Sequence, residues 1–219
     1  MVDAVLDQAA GTAFLAVFGG GEKIFAASAP MRGRDGAKLP VWVADELGKH
    51  GLTLDGIDRW TVGSGPGSFT GLRLAAALVA GWCWGRKGTC RAVPGVFGLA
   101  AAAGIAPGGR LGCLYDGRNR ELIYVVVKCL ADGELAVDGE PEILDADFAR
   151  TRLAGAEAPK RFAAFASEIP ALAKLAPELE TIPVDAPELA ALAAAKAPYD
   201  DDVTRLFYIR PAVYAEPKQ

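Results

Sequence analysis

Thr61-Val62-Gly63-Ser64-Gly65-Pro66-Gly67-Ser68-Phe69-Thr70-Gly71-Leu72-Arg73 sets glycines around a single proline, between the strand-like run Ile57–Val62 and the almost wholly apolar segment Leu72–Trp84. Glycine is wanted where the chain turns with φ > 0 or passes close to another group. Pro66 fixes φ and gives up its N–H. Thr70 is placed to cap the helix that follows. A strand, a tight turn and a helix N-terminus can aim several N–H groups at one anion. The same glycines can instead let another stretch of backbone approach closely. Spacing leaves both readings open, but the named nucleotide motifs do not fit. Ser68 and Thr70 stand where a third Rossmann glycine would be, and the loop has no P-loop lysine.

Upstream, Ala4–Asp7, Thr12–Phe18 and Lys23–Ala27 read as three short strands split by Gln8–Gly11 and by Gly19-Gly20-Gly21. Asp7 falls at the first turn, where it can face a phosphate or serve as an Asx-turn residue. Pro30–Lys38 reads as a loop. Leu39, Trp42, Val43, Leu47 and His50 share one face of a 3.6-residue period, so Leu39–His50 is a helix with Gly51 just past its end. Leu72–Trp84 is apolar nearly all round and must be covered on more than one side, by its own core or by a partner's helices. Ala75, Ala76, Ala80 and Gly81 would permit close approach, and Trp82 and Trp84 point different ways.

Downstream, Cys90–Val93 is a short strand and Val96–Ala106 a small-residue helix. Pro107-Gly108-Gly109 is the best domain boundary, giving units 1–106 and 107–219. Leu111–Tyr115 and Leu122–Leu130 flank a polar turn around Asp116–Glu121. A weak strand and a polar helix fill Pro141–Lys160. Arg161–Ser167 reads as a strand, and Ala171–Leu179 and Glu188–Lys196 as alanine-rich helices.

The 219 residues are 52% hydrophobic and 23% charged, which describes a globular chain with much to bury. No run approaches the ~18 residues of a membrane span, and no basic segment precedes the first apolar run. Cys83, Cys90, Cys113 and Cys129 form no C-x-x-C pair and three of them lie in or beside apolar stretches, as reduced thiols of a cytoplasmic protein do. His50 is the only histidine, so a zinc site or Ser-His-Asp triad has little material. A net charge of −4 without a basic stripe argues against a direct grip on nucleic acid.

The run Gly65-Pro66-Gly67-Ser68-Phe69-Thr70-Gly71-Leu72-Arg73 resembles the signature of the TsaB/YeaZ family, which helps make threonylcarbamoyladenosine on tRNA. Asp116, Arg118 and Tyr124 resemble its second-half hairpin, and Phe207–Pro211 its ending. The resemblance implies an α/β fold of the actin/Hsp70-like (ribonuclease H-like) class with two related halves, the second reduced. It implies no catalytic or metal-binding residue in this chain. The partner implied is TsaD-like and carries ATP and a divalent metal; a TsaE-like ATPase would join them, and tRNA would be met only through the complex. Partner contacts would fall on Leu39, Trp42, Val43, Phe69, Leu72, Arg73, Ala76, Val79, Ala80 and Trp82, and the chain alone would form a homodimer. Asp7, Gly63, Gly65, Gly67, Ser68, Thr70 and Gly71 would form the loop region, with phosphate binding as its second use.

The sequence departs from the family pattern twice. The family usually reads Asp-Thr-Ser at the end of the first strand, where this chain keeps Asp7 but continues Gln8-Ala9-Ala10, and Gly36-Ala37-Lys38 replaces a His-Ser pair. The metal histidines of catalytic relatives have no counterpart here. Other classes remain: a sugar-kinase-like phosphotransferase using Asp7 and the glycine loop, a peptidase, or a diverged paralogue with a different partner.

Overall fold

Alternation along the first strand decides how the layers stack. In β1 (Val2–Asp7), Ala4 and Leu6 face one side and Val5 the other, and all three are buried. A strand buried on both faces must lie inside a layered structure. β1 pairs antiparallel with β2 (Thr12–Gly19), which pairs antiparallel with β3 (Glu22–Pro30). β4 (Arg59–Gly63) adds parallel to β1, and β5 (Thr89–Val93) parallel to β4, giving the order β3-β2-β1-β4-β5. The computed structural model describes residues 1–9, 11–31 and 33–207, the side chains of Arg34 and Arg118 excepted. The family-like ending at Tyr208-Ile209-Arg210-Pro211 lies outside them.

The second half repeats this plan. β6 (Arg110–Arg118) and β7 (Glu121–Cys129) form an antiparallel hairpin, and β8 (Leu135–Val137) and β9 (Glu142–Asp145) both pair with β7. β10 (Phe162–Phe165) lies parallel to β6, and β11 (Thr181–Val184) parallel to β10. The order β8-β7-β6-β10-β11 matches the first sheet strand for strand.

α1 (Leu39–Lys49) and α2 (Phe69–Cys83) cover the outer face of the first sheet. α3 (Val96–Ala102) and α6 (Leu189–Ala193) fill the space between the sheets, joining Val5, Phe14 and Phe18 to Leu111, Tyr115 and Val127 in one core. α4 (Ala146–Ala154) and α5 (Ile169–Leu172) cover the far face of the second sheet.

Several elements differ from the sequence reading. α2 begins at Phe69, and its cap is Ser68, whose Oγ accepts from the Gly71 amide at 3.4 Å; Thr70 is inside the first turn. The helix expected over 171–179 is only Ile169–Leu172, and the one expected to run to Ala106 ends at Ala102. β8 and β11 are strands that the reading did not contain.

The chain after Glu188 returns from the second sheet to the first. Its anchor is Arg91 on β5, which is 3% exposed. Arg91 Nη1 donates to the carbonyls of Ala195 at 2.7 Å and Ala197 at 2.6 Å, and Nη2 to those of Leu192 at 3.1 Å and Ala193 at 2.7 Å. Nε donates to Thr61 Oγ1 at 3.0 Å, so all the fork's directions are used. The guanidinium also sits 4.1 Å from the centre of the Tyr199 ring. The last carbonyls of α6, orphaned as in any helix, thereby find a buried cation.

Candidate functional site

The glycine loop and the turn after β1 are one piece of packing. The Ser68 amide donates to the Ala9 carbonyl at 2.7 Å. A Cβ on Gly67 would lie 2.7 Å from Ala9 Cβ and 2.8 Å from its carbonyl carbon, and one on Gly71 would overlap the Gln8 carbonyl oxygen. These glycines are required because another backbone runs against them. Of the two readings open from spacing, close approach is the one the contacts satisfy directly. Gly65, at φ +102°, accepts from the Gly95 amide at 2.8 Å and so ties the loop to the start of α3.

Asp7 lies under this loop and is 3% exposed. Its Oδ1 accepts from the Ala9 amide at 2.8 Å, which is the Asx-turn arrangement. A Cβ on Gly63 would overlap the carboxylate, and one on Gly95 would stand 2.6 Å from Oδ2, so both glycines make room for it. Burial pushes the carboxyl up from its ordinary 3.8, and the Ala9 hydrogen bond pulls the other way. The folded chain therefore holds this proton more tightly than the unfolded chain does. Stability contributed at Asp7 is largest at low pH and falls as pH rises through the raised value. Asp7→Asn keeps an acceptor for the Ala9 amide and removes the buried charge. It is expected to raise the melting temperature at neutral pH, with the gain shrinking as pH is lowered; thermal melts across pH test this.

The residues assigned to partner contact divide sharply. Leu39, Val43, Ala76 and Val79 are buried in the core against the first sheet, and Leu72 is buried as well, so in the free chain these side chains hold the helices down. Trp42, Ala80 and Trp82 are partly buried, and Trp82 tilts against Trp60 at 4.9 Å between ring centres. Phe69 and Arg73 are exposed and stack as a cation–π pair at 3.7 Å. Thr70, Arg73, Ala77, Gly81 and Trp84 form an outward stripe along α2 and its end, and Trp84 is 86% exposed. Val41 on α1 is exposed as well. Ala77, Gly81, Trp84 and Val41 were not among the assigned residues. Only the 3- and 4-residue spacing from Thr70 could have shown that stripe.

In the second half, Asn119 and Arg120 both have positive φ and close the β6–β7 hairpin. The Asp116 amide donates to Glu168 Oε2 at 3.1 Å. Tyr124 is 1% exposed, in the core on the far face of the second sheet, with Arg152 over its ring. Cys90, Cys113 and Cys129 are buried and Cys83 partly so, all as free thiols. Burial pushes the Cys90 thiol up to about 12, so it stays protonated. Among the described residues, no three His, Cys, Asp or Glu side chains gather as a metal site would need. No helix among them is long and apolar enough to cross a membrane.

A cavity of about 400 Å³ opens beside the first turn of α2, lined by Gln8, Gly11, Met31, Gly33, Gly36, Ser68–Gly71 and Leu74. Gln8 and Gly36, from the two segments where the sequence departs from the family pattern, meet here. A Cβ on Gly36 would be 4.0 Å from Gln8 Nε2.

The family model described as TsaD, tRNA N6-adenosine threonylcarbamoyltransferase, matches residues 36–173, well over half of the chain. Among solved structures, the chain is similar to a Pseudomonas aeruginosa protein described as similar to the peptidase YeaZ. The TM-score is 0.69 at 21% identity over 88% of each chain. YeaZ from Pseudomonas aeruginosa gives 0.67 at 19% identity, again over 88% of each. The activator of 2-hydroxyisocaproyl-CoA dehydratase from Clostridium difficile, solved with bound ADPNP, gives 0.50 at 12% identity, over 89% of this chain and 93% of that one. Identities this low speak for the fold alone, which is of the actin/Hsp70-like class. A search of curated proteins finds no match.

Proposed function

Because this chain belongs to the TsaD family and is of the TsaB/YeaZ kind, we propose that it is a non-catalytic subunit of the machinery that makes threonylcarbamoyladenosine on tRNA. Its role is to bind and support a TsaD-like catalytic subunit, on which ATP and a divalent metal act. A TsaE-like ATPase joins that assembly, and tRNA is met through it. The observation that carries this reading is the outward stripe of α2. Ala77 presents only a methyl group and Gly81 bare backbone between Phe69 and Trp84, whose rings stand at its ends. Small residues let a partner helix come close, and flanking aromatics supply the buried area that anchors an interface. In the free chain the same stripe is expected to meet its own copy through a two-fold contact.

The glycine loop supports the same reading. Its close approaches serve the turn at Gln8–Ala9, and Asp7 is spent on an Asx turn. A phosphotransferase would need that loop and that carboxylate for phosphate and metal. The test is affinity capture of the tagged chain from the source cell's lysate, with ATP hydrolysis measured on the purified chain. Co-purification of a TsaD-like protein and no hydrolysis is the expected result. Hydrolysis that disappears in Asp7→Ala, without a TsaD-like protein in the eluate, would support the phosphotransferase instead.

A further inference from the structure

A second cavity, of about 380 Å³, opens where α3, α6 and the β7–β8 turn meet, and it shares no lining residue with α2 or the glycine loop. Phe97 and Ala101 of α3, Ile105 beyond it, Leu135 of β8, Ala191 of α6 and Ala194 at its C-terminus give it an apolar wall. The charged residues that line it are Asp132, Glu134 and Lys196. Lys196 Nζ lies 2.8 Å from both Asp132 Oδ2 and Glu134 Oε2, and so spans from the end of α6 to the turn. Both ends of that span are fixed. The carbonyls on either side of Lys196, of Ala195 and Ala197, accept from the buried Arg91. Asp132 Oδ1 accepts from the Glu134 amide at 3.1 Å across Gly133, which has φ +86°. The Lys196 ammonium pulls the Asp132 pKa down, so that carboxylate is charged at neutral pH.

Two carboxylates share one ammonium, which leaves this group with a formal charge of −1 beside an apolar wall. We propose that the cavity binds a small primary amine with a compact apolar body, its ammonium joining Lys196 at Asp132 and Glu134 and its body lying on Phe97, Ile105 and Leu135. Two ammoniums on two carboxylates balance the charge, and the body takes apolar surface out of water. The volume falls in the range of about 300–1,000 Å³ usual for small-molecule sites. An anion would meet Lys196 but be repelled by the pair of carboxylates. A neutral molecule of the same shape would forgo the charge-assisted hydrogen bonds. A bare metal ion would find two carboxylates already held by Lys196, and would leave the apolar wall uncovered.

Phenethylamine is the probe, with phenethyl alcohol as its neutral counterpart and hydrocinnamate as the anion. Each is titrated into the full chain while the methyl resonances of Ile105 and Leu135 are followed. The amine is expected to move both residues and to bind at least about tenfold more tightly than the alcohol, with hydrocinnamate weaker still. Its advantage should shrink as salt is raised, because the charges it meets are partly exposed. Lys196→Met removes the competing ammonium and should tighten amine binding by about threefold. Asp132→Asn together with Glu134→Gln leaves Lys196 unopposed and should reverse the order, so that hydrocinnamate binds more tightly than the amine. These substitutions fall on partly or wholly exposed side chains, so both variants should keep the wild-type fold. Equal binding of amine and alcohol, or Ile105 and Leu135 unmoved, would overturn the site. So would amine binding unchanged or weakened in Lys196→Met, or an unreversed order in the double variant. Ala77→Glu, on the outer stripe, should leave amine binding unchanged, so failure here and failure of the partner reading are separate results.

Discussion

Gly71→Ala is expected to destabilise the protein by about 3 kcal/mol or more, an unusually large effect for one methyl group. The methyl would coincide with the Gln8 carbonyl oxygen, and backbone cannot step aside as a flexible side chain can. α2 would have to lift from the turn after β1, taking Ala75, Ala76 and Val79 out of the core on the outer face of the first sheet. Gly67→Ala meets Ala9 in the same way and adds the strain of φ +155°. Gly81→Ala is the control within the same helix, since a Cβ there touches nothing within 4 Å. It should stabilise by about 0.5–1 kcal/mol, the ordinary advantage of alanine over glycine in a helix. Denaturant unfolding of the three variants separates these cases. Equal midpoints for Gly71→Ala and Gly81→Ala would mean that the loop and the turn do not pack as described.

Arg91→Met is expected to cost about 3–5 kcal/mol, because removing the buried cation takes the guanidinium donors away from the carbonyls of Ala193, Ala195 and Ala197, and from Leu192, which keeps only backbone donors. Burial lowers the Arg91 pKa, yet the guanidinium stays charged at any physiological pH. Arg91→Lys should recover little, since one ammonium cannot reproduce a planar fork that serves four carbonyls and Thr61. The loss should be seen first in the returning segment, with limited proteolysis cutting after Glu188 before the sheets unfold. Wild-type stability in Arg91→Lys would contradict this account of how the two halves are tied.

Much of the fold was legible because its signals are local. Strands β1 to β3 are set apart by glycines, the GPGSFTGLR run marks the strand-to-helix turn, and polar residues close the β6–β7 hairpin. β11 was missed because Pro183 argues against a strand, although an edge strand tolerates it. Which stripe of α2 faces outward was not legible. Ala75, Ala76 and Ala77 are the same residue in two environments, and a helix apolar all round has no polar face to orient it. The sheet beneath decides, burying Ala76 and leaving Ala77 in solvent. The return of residues after Glu188 and the meeting of Gln8 with Gly36 join distant parts of the chain, and no local pattern announces either.

The most direct test of the scaffold reading is sedimentation of the chain with a TsaD-like protein, comparing wild type with Ala77→Glu. Ala77 points to solvent, so the added carboxylate should change the unfolding free energy by no more than about 0.5 kcal/mol. Wild type is expected to form a heterodimer, and Ala77→Glu to weaken it at least about tenfold by burying an unpaired charge at the contact. Wild-type affinity in a folded Ala77→Glu, or no complex with the folded wild-type chain, would contradict the claim that α2 is the surface through which this protein acts.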